Sequence, residues 1–363
     1  MVIKSERVFS DLAIPPGELL AEELEARDMS QKELADRTGR PEQTISEIIN
    51  GKKSITYDTA LEFEKVLGIP ASFWVNLESS YQLTKARLRE INELEKQEDW
   101  LDFFPLKEMQ KRGLITQASD KRDLLSQLLK FFGVASFPAL KQRQEGILGW
   151  RVTAKSTVSE GALYTWLREG ELKAQEIETE VYDEEKFLKA LQDIRSLTVE
   201  TKWAITVRSM TEICAAAGVA FVVVHEYPKS GASAVARWLS TDKAMIQLST
   251  RRRWVDMFWF NFFHEADHVL KRQRKRVFVN RINDDPEAER DADEFAAQIL
   301  IPESEYRPFA ATNPQSHLSV TRFADKLGIH PEVVVGRLQH DHVIPPSNLN
   351  GLRRKFVWKE VES

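Results

Sequence analysis

The sequence predicts a multidomain protein. An all-α N-terminal domain built on a helix-turn-helix is followed by a helical middle segment, then by an α+β domain with a small helical C-terminal extension. Three observations carry that expectation. Residues 30–51 have the grammar of two short helices joined by a glycine turn. Residues 219–249 hold three short β-branched or alternating runs, flanked by stretches of helical period. His264-Glu265-Ala266-Asp267-His268 then places two histidines four residues apart in a helical stretch. The expected domains are 1–82, 83–200, 201–305 and 306–363.

Composition narrows the function classes. A chain of 363 residues has room for two or three domains, and 42% hydrophobic against 29% charged residues excludes a disordered chain. The formal net charge of −5 excludes a bulk polycation, so any nucleic-acid binding must come from a local patch. The single cysteine, Cys214, excludes a disulfide framework and a cysteine-built zinc site. The start MVIKSERVFSDLAIPPG has no apolar core of a signal peptide, and no run approaches the roughly 20 apolar residues that cross a bilayer. These features point to a soluble, cytoplasmic protein without a membrane partner.

In chain order, SQKELADRTGRPEQTISEIING comes first. Ser30 with Glu33 makes a capping box, so a helix starts at Gln31. Ala35 is small where helices cross, Gly39 supplies a left-handed turn, and Pro41 opens the next helix. Ile45 and Ile48 face the core, and Asn50-Gly51 closes the helix. The second helix would enter a major groove by its N-terminal end. Glu42, Gln43, Thr44, Ser46, Glu47 and Asn50 are then spare for contact: Gln43 can read adenine and Glu47 can accept from a cytosine amine. Gln31, Arg40, Asn50, Lys52 and Lys53 are placed to hold phosphates. With IPPGELLAEELEARDMS before it and GKKSITYDTALEFEKVLGIPASFWVNLESSYQL after it, the stretch Pro15 to Leu83 resembles the HigA-type antitoxin branch of the Xre/Cro repressors. The resemblance implies a homodimer on an inverted-repeat operator in double-stranded DNA, autoregulation, and a HigB-like toxin as partner. Glu42 and Glu47 make this second helix more acidic than is usual for such readers.

Residues 83–100 have the apolar spacing of a surface or connecting helix. The pattern stays mostly helical to about 202, with breaks expected at Gly113, Gly133, Pro138 and Gly146. Val219 to Tyr227, Ser233 to Ser240 and Ala244 to Ser249 read as strands, and helical period resumes in RRWVDMFWFNFFHEADHVL and EAERDADEFAAQILIP. The last 45 or so residues read as two short helices and a tail.

On a helix, His264 and His268 share a face and can reach one Zn²⁺. Glu265 is rotated by about 100° from His264, away from ligation but able to take a proton from a water at the metal. Two histidines so spaced around a glutamate are an improbable accident in a chain with seven histidines. A catalytic zinc needs a third protein ligand. Among Glu287, Glu289, Asp291, Asp293 and Glu294, helical phasing favours Glu289, on the face of Ala292, Phe295, Ala296, Ile299 and Leu300, with Asp293 next. The pairing of FWFNFFHEADH with ERDADEFAAQILIP, within Trp203 to Pro302, resembles the ImmA/IrrE family of gluzincin-like metallopeptidases, which cut or unseat repressors. The resemblance implies a zincin-like fold, metal ligands His264, His268 and Glu289, and Glu265 as catalytic acid/base. Asp267 stands where the family usually has glycine; it can bond a ligand histidine, crowd the substrate or sit in water.

His225 and His317 are minor candidates for stabilising an oxyanion. Arg251-Arg252-Arg253 suits a solvated turn, and Trp254, Phe258, Trp259, Phe262 and Phe263 suit a core around the site. The combined expectation is a HigA-like DNA-binding antitoxin and autorepressor carrying a zinc-binding peptidase domain. The alternative is an active zinc endopeptidase that cleaves a repressor or itself, with the helix-turn-helix as targeting module. A third reading is a sensor whose metal domain binds a small ligand.

Overall fold

The computed structural model describes residues 12–148, 158–249, 254–272 and 286–356. The basic run at 251–253 lies outside them. The chain forms two compact units, Met1–Glu98 and Asp99–Ser363.

The first unit is all helix: α1 (Pro16–Ala26), α2 (Gln31–Thr38), α3 (Glu42–Ile49), α4 (Tyr57–Leu67) and α5 (Ala71–Glu95). Ser30 caps α2 by accepting from the Glu33 amide at 3.1 Å, and Gly39 ends it at φ +69°. The Glu33 side chain turns instead to Arg37, so only half of the expected capping box forms. Pro41 stands one position earlier than expected, as the N-cap of α3 rather than its first residue. Leu20, Leu34, Ile45, Ile48, Phe63 and Trp74 are the buried centre. The helix expected over 83–100 is the second half of the longer α5, and it stops at Glu95. α1 crosses α3 so closely that a Cβ on Gly17 would lie 2.1 Å from the Ile48 carbonyl oxygen. Gly17→Ala is therefore expected to cost the first unit about 1–3 kcal/mol, seen as a lower urea midpoint of its transition in the full chain.

The second unit opens with α6 (Trp100–Phe103), α7 (Leu106–Lys111), α8 (Lys121–Phe132), α9 (Phe137–Leu148), α10 (Glu160–Glu176), α11 (Glu184–Ser196) and α12 (Trp203–Ala215). Two of the expected breaks are not breaks: Pro138 sits in the first turn of α9, where a missing amide costs nothing, and Gly146 lies within the same helix. Gly113 and Gly133 do end helices, both at positive φ. The strands are β1 (Val219–Val223), β2 (Ala234–Trp238) and β3 (Ala244–Leu248), each shorter than its sequence run. They form one sheet in the order β1-β3-β2, with β1 parallel and β2 antiparallel to β3. α13 (Val255–Leu270), α14 (Pro286–Leu300), α15 (Glu303–Ala311), α16 (His317–Leu327) and α17 (Pro331–His340) follow. Of these, α16 and α17 are the two short helices expected in the last 45 or so residues.

α13 packs on β2, β3, α14 and α17. Its buried Phe258, Trp259, Phe262 and Phe263 join Phe221, Ile246 and Leu248 of the sheet in one core. Trp254 is only half-buried, between the guanidinium of Arg353 and the ammonium of Lys355. α10 is buried along most of its length and packs on β1 and β3. Trp166 donates its indole N–H to the Val224 carbonyl at 3.0 Å, and the Gln247 amide returns a bond to the Trp166 carbonyl at 2.8 Å. A Cβ at Gly170 would overlap the Gln247 side chain, so the helix approaches the sheet on glycine.

Candidate functional site

α13 has little choice about which face it buries, because its aromatic stripe must meet the sheet. That orientation presents His264 and His268 toward α14, where Ala292, Ala296 and Leu300 are buried and Glu289 lies on the same side. The imidazole Nε2 atoms of His264 and His268 are 3.2 Å apart. Glu289 Oε2 is 3.6 Å from His264 Nε2, and its Oε1 is 3.5 Å from His268 Nε2. Around a tetrahedral zinc, donors at about 2.0–2.1 Å are separated by about 3.3–3.4 Å. The three donor groups thus fit one cation, and they form the metal-capable cluster among the described residues. Glu287, Asp291 and Glu294 of the same helix stay outside it.

Asp293 is not a fourth member of that cluster. Its Oδ1 lies 2.9 Å from His264 Nδ1. With the ring proton held there, Nε2 keeps its lone pair for a metal. Without a cation, burial works against protonating His264, but the carboxylates of Asp293, Glu289 and Glu265 outweigh it and raise its pKa to about 10.

Glu265 is buried, about 100° round the helix from His264, and close enough to His264, His268 and Glu289 to feel their charges. Burial lifts its pKa to about 7, against the pull of His268 and His264. Its carboxylate accepts from the Ala236 amide of β2, while Oε2 is buried without a hydrogen-bond partner. Such a group is poised to exchange a proton near neutrality. Of the three places open to it in the sequence, Asp267 does not take the one in water. It is buried and ion-paired with Lys271 at 2.8 Å, and Lys271 also reaches Asp291 at 3.2 Å, tying α13 to α14.

The other histidines stand apart from this cluster. His225 Nδ1 lies 3.3 Å from Glu226 Oε2, His330 caps α17, and His340 Nδ1 lies 2.9 Å from Asp341 Oδ1. Burial and Arg354 push the His330 pKa down to about 4. His317 begins α16.

In the first unit, Gln31, Glu42, Gln43, Asn50, Lys52 and Lys53 are exposed on the helix-turn-helix. Several of the expected contact groups already have partners within the unit. Gln43 donates to Glu47 at 3.0 Å, and Asn50 donates to the Ser46 carbonyl at 2.7 Å. Arg40 is half-buried and ion-paired with Glu62. Thr44 is buried and lies 3.4 Å from Lys53 Nζ, so it packs under the helix. Sequence reasoning missed the Arg40–Glu62 pair, the Lys271 tie and the Ala236 amide, all of which need three-dimensional placement.

Comparison with known proteins adds two families. Residues 20–74 match the helix-turn-helix family, and residues 221–339 match the IrrE N-terminal-like domain. Virulence-associated protein I of Dichelobacter nodosus is 37% identical over 75 residues, covering 20% of this chain and 69% of that protein. The uncharacterized helix-turn-helix-type transcriptional regulator YddM of Escherichia coli is 28% identical over 71 residues, 20% of this chain and 76% of its own. Among solved structures, an addiction module antidote protein of the HigA family from Coxiella burnetii is 41% identical, covering 23% of this chain and 92% of that one, with a TM-score of 0.22. The Pseudomonas aeruginosa antitoxin HigA, solved with the higBA promoter, is 30% identical over 23% of this chain and 94% of its own, with a TM-score of 0.22.

Proposed function

This chain belongs to the helix-turn-helix family of transcriptional regulators and carries an IrrE-like peptidase domain, and from that premise we propose that it is a HigA-like antitoxin that represses its own operon as a homodimer on an inverted repeat. The observation that carries the reading is the capped, glycine-turned helix pair whose exposed residues include Gln31, Gln43, Asn50, Lys52 and Lys53. A HigB-like toxin as second partner rests on the resemblance of residues 15–83 to that antitoxin branch.

Binding to an inverted repeat from its own promoter is expected to fall steeply with salt, by about 0.9 log units per log unit of salt for each phosphate contact. Lys52→Ala and Lys53→Ala should each lower that slope by about 1 for every phosphate left without its lysine, with little change in preferred sequence. Fluorescence anisotropy against a random duplex of equal length checks this; equal affinity for both duplexes would remove the repressor reading.

A second reading, an active zinc endopeptidase, is favoured by the place of Glu265 beside the donor triad. His264, His268 and Glu289 would hold the zinc, with Asp293 orienting His264. Zinc, when bound, supplies Lewis acidity to a peptide carbonyl and to water. Glu265, with its pKa near 7, can take a proton at neutral pH and return it to the leaving amine. Glu265→Gln is expected to keep the metal and lower cleavage of a repressor or of the chain itself by about 10²–10⁴-fold. Gel-based cleavage assays beside metal analysis test it, and unchanged cleavage by that variant counts against the assignment.

A further inference from the structure

Beside the metal centre, α13, α14 and α17 line an open-mouthed cavity of about 210 Å³. Its apolar wall is Met257 and Phe260 from α13, Ala297, Leu300 and Ile301 from α14 and its end, and Val333 from α17. Leu300, Ile301 and Val333 are buried, whereas the polar lining residues Arg290, Glu294 and His340 are exposed, so the base is apolar and the mouth polar. The cavity opens to solvent at that mouth, and its volume exceeds the roughly 150 Å³ apolar cavity that is known to take up benzene.

Most of the buried polar atoms in the wall have partners, the exception being Arg337 Nη1, which is buried without a hydrogen-bond partner. Asp256 is held by Arg353 at 2.7 Å, Arg337 is paired with Asp341 and with Glu303, and Asp293 bonds His264. What the cavity offers an occupant is therefore chiefly apolar contact, with one buried donor at Arg337 Nη1. Phe260 forms part of that wall, with its ring 6.4 Å from the His264 ring and 6.5 Å from that of His340.

We propose that this cavity is a binding site for an uncharged apolar group the size of one aromatic ring with a short substituent. The inference goes beyond the regulator and peptidase readings and does not depend on metal. Free indole is the probe. Added at about tenfold over its Kd, it is expected to raise Tm of the full chain by roughly 3–5 °C in a saturable way, with and without zinc. Ala297→Phe fills the space and should abolish the shift; Ala297→Leu, a gentler filling, should reduce it if the first variant folds poorly. The blocked peptide acetyl-Ala-Phe-Ala-amide separates two sources of the same chemistry. A shift with indole alone assigns the site to a free small molecule, and a shift with the peptide alone assigns it to a side chain presented by a polypeptide. No shift with either probe at millimolar concentration, or an equal shift in both filled variants, overturns the proposal. Loss of zinc binding in the same preparations would bear on the metal centre and leave this result intact.

Discussion

Glu289→Ala and His264→Ala are each expected to bring bound zinc from near one equivalent per chain to near none. With one of three donors gone, the remaining pair cannot hold a four-coordinate ion at the spacing seen here. Asp293→Asn should keep the ion but weaken it by roughly 10–100-fold, because it removes the carboxylate that orients His264. The pH dependence has a definite sign. In the cation-free chain His264 is protonated below about pH 10, so zinc must displace a proton there. Affinity should then fall by about tenfold for each unit of acidification through the neutral range. Metal analysis of the purified variants, with competition titration against a chelator at several pH values, checks both statements. Full zinc stoichiometry in both alanine variants would show that the ion, if any, sits elsewhere.

Arg353→Ala is expected to destabilise the second unit by about 3–5 kcal/mol. The Asp256 carboxylate is buried on α13 and meets the Arg353 guanidinium at 2.7, 2.9 and 3.1 Å. The same guanidinium donates to Gln339 of α17 at 2.7 Å. Burial raises the Asp256 pKa and Arg353 pulls it back, so without the arginine the carboxyl must pick up a proton or remain charged and unpaired. Urea unfolding of the full chain at neutral pH measures the loss. Replacing both partners together, Arg353→Met with Asp256→Leu, should recover most of it, since no buried charge is then stranded. A single-variant loss below about 1 kcal/mol would mean that the pair behaves as an exposed one.

Much of the donor triad was legible in the chain because each of its parts is local. Two histidines one helical turn apart share a face by geometry alone. Glu289 follows from the phase of Ala292, Ala296 and Leu300, all of which are buried. The glycine turn at Gly39 and the short strands were equally visible, since turn chemistry and β-branched runs are near-neighbour signals. The pieces that escaped are long-range. Arg40 finds Glu62, Arg353 finds Asp256 across 97 positions, and Arg354 finds Glu332 across 22. No spacing rule announces such pairs. Asp267 is instructive for a different reason: its partner is only one turn away at Lys271, but the eye is drawn to the metal motif and overlooks an ordinary helical ion pair. Pro138 and Gly146 misled because a breaker in the first turn, or a lone glycine in a supported helix, costs less than the pattern suggests.

The close seat of α10 on the sheet has a consequence for heredity. The IrrE-like match begins only at residue 221, whereas β1 and β3 lean on Trp166 and Gly170. A gene fragment that carried the metal motif and its strands but left that helix behind would encode a sheet whose buried Gln247 and Arg237 lose the α10 carbonyls they bond. Any rearrangement that transplants this chemistry to another regulator has to move the helix with it, so the exchangeable cassette is larger than the recognisable signature.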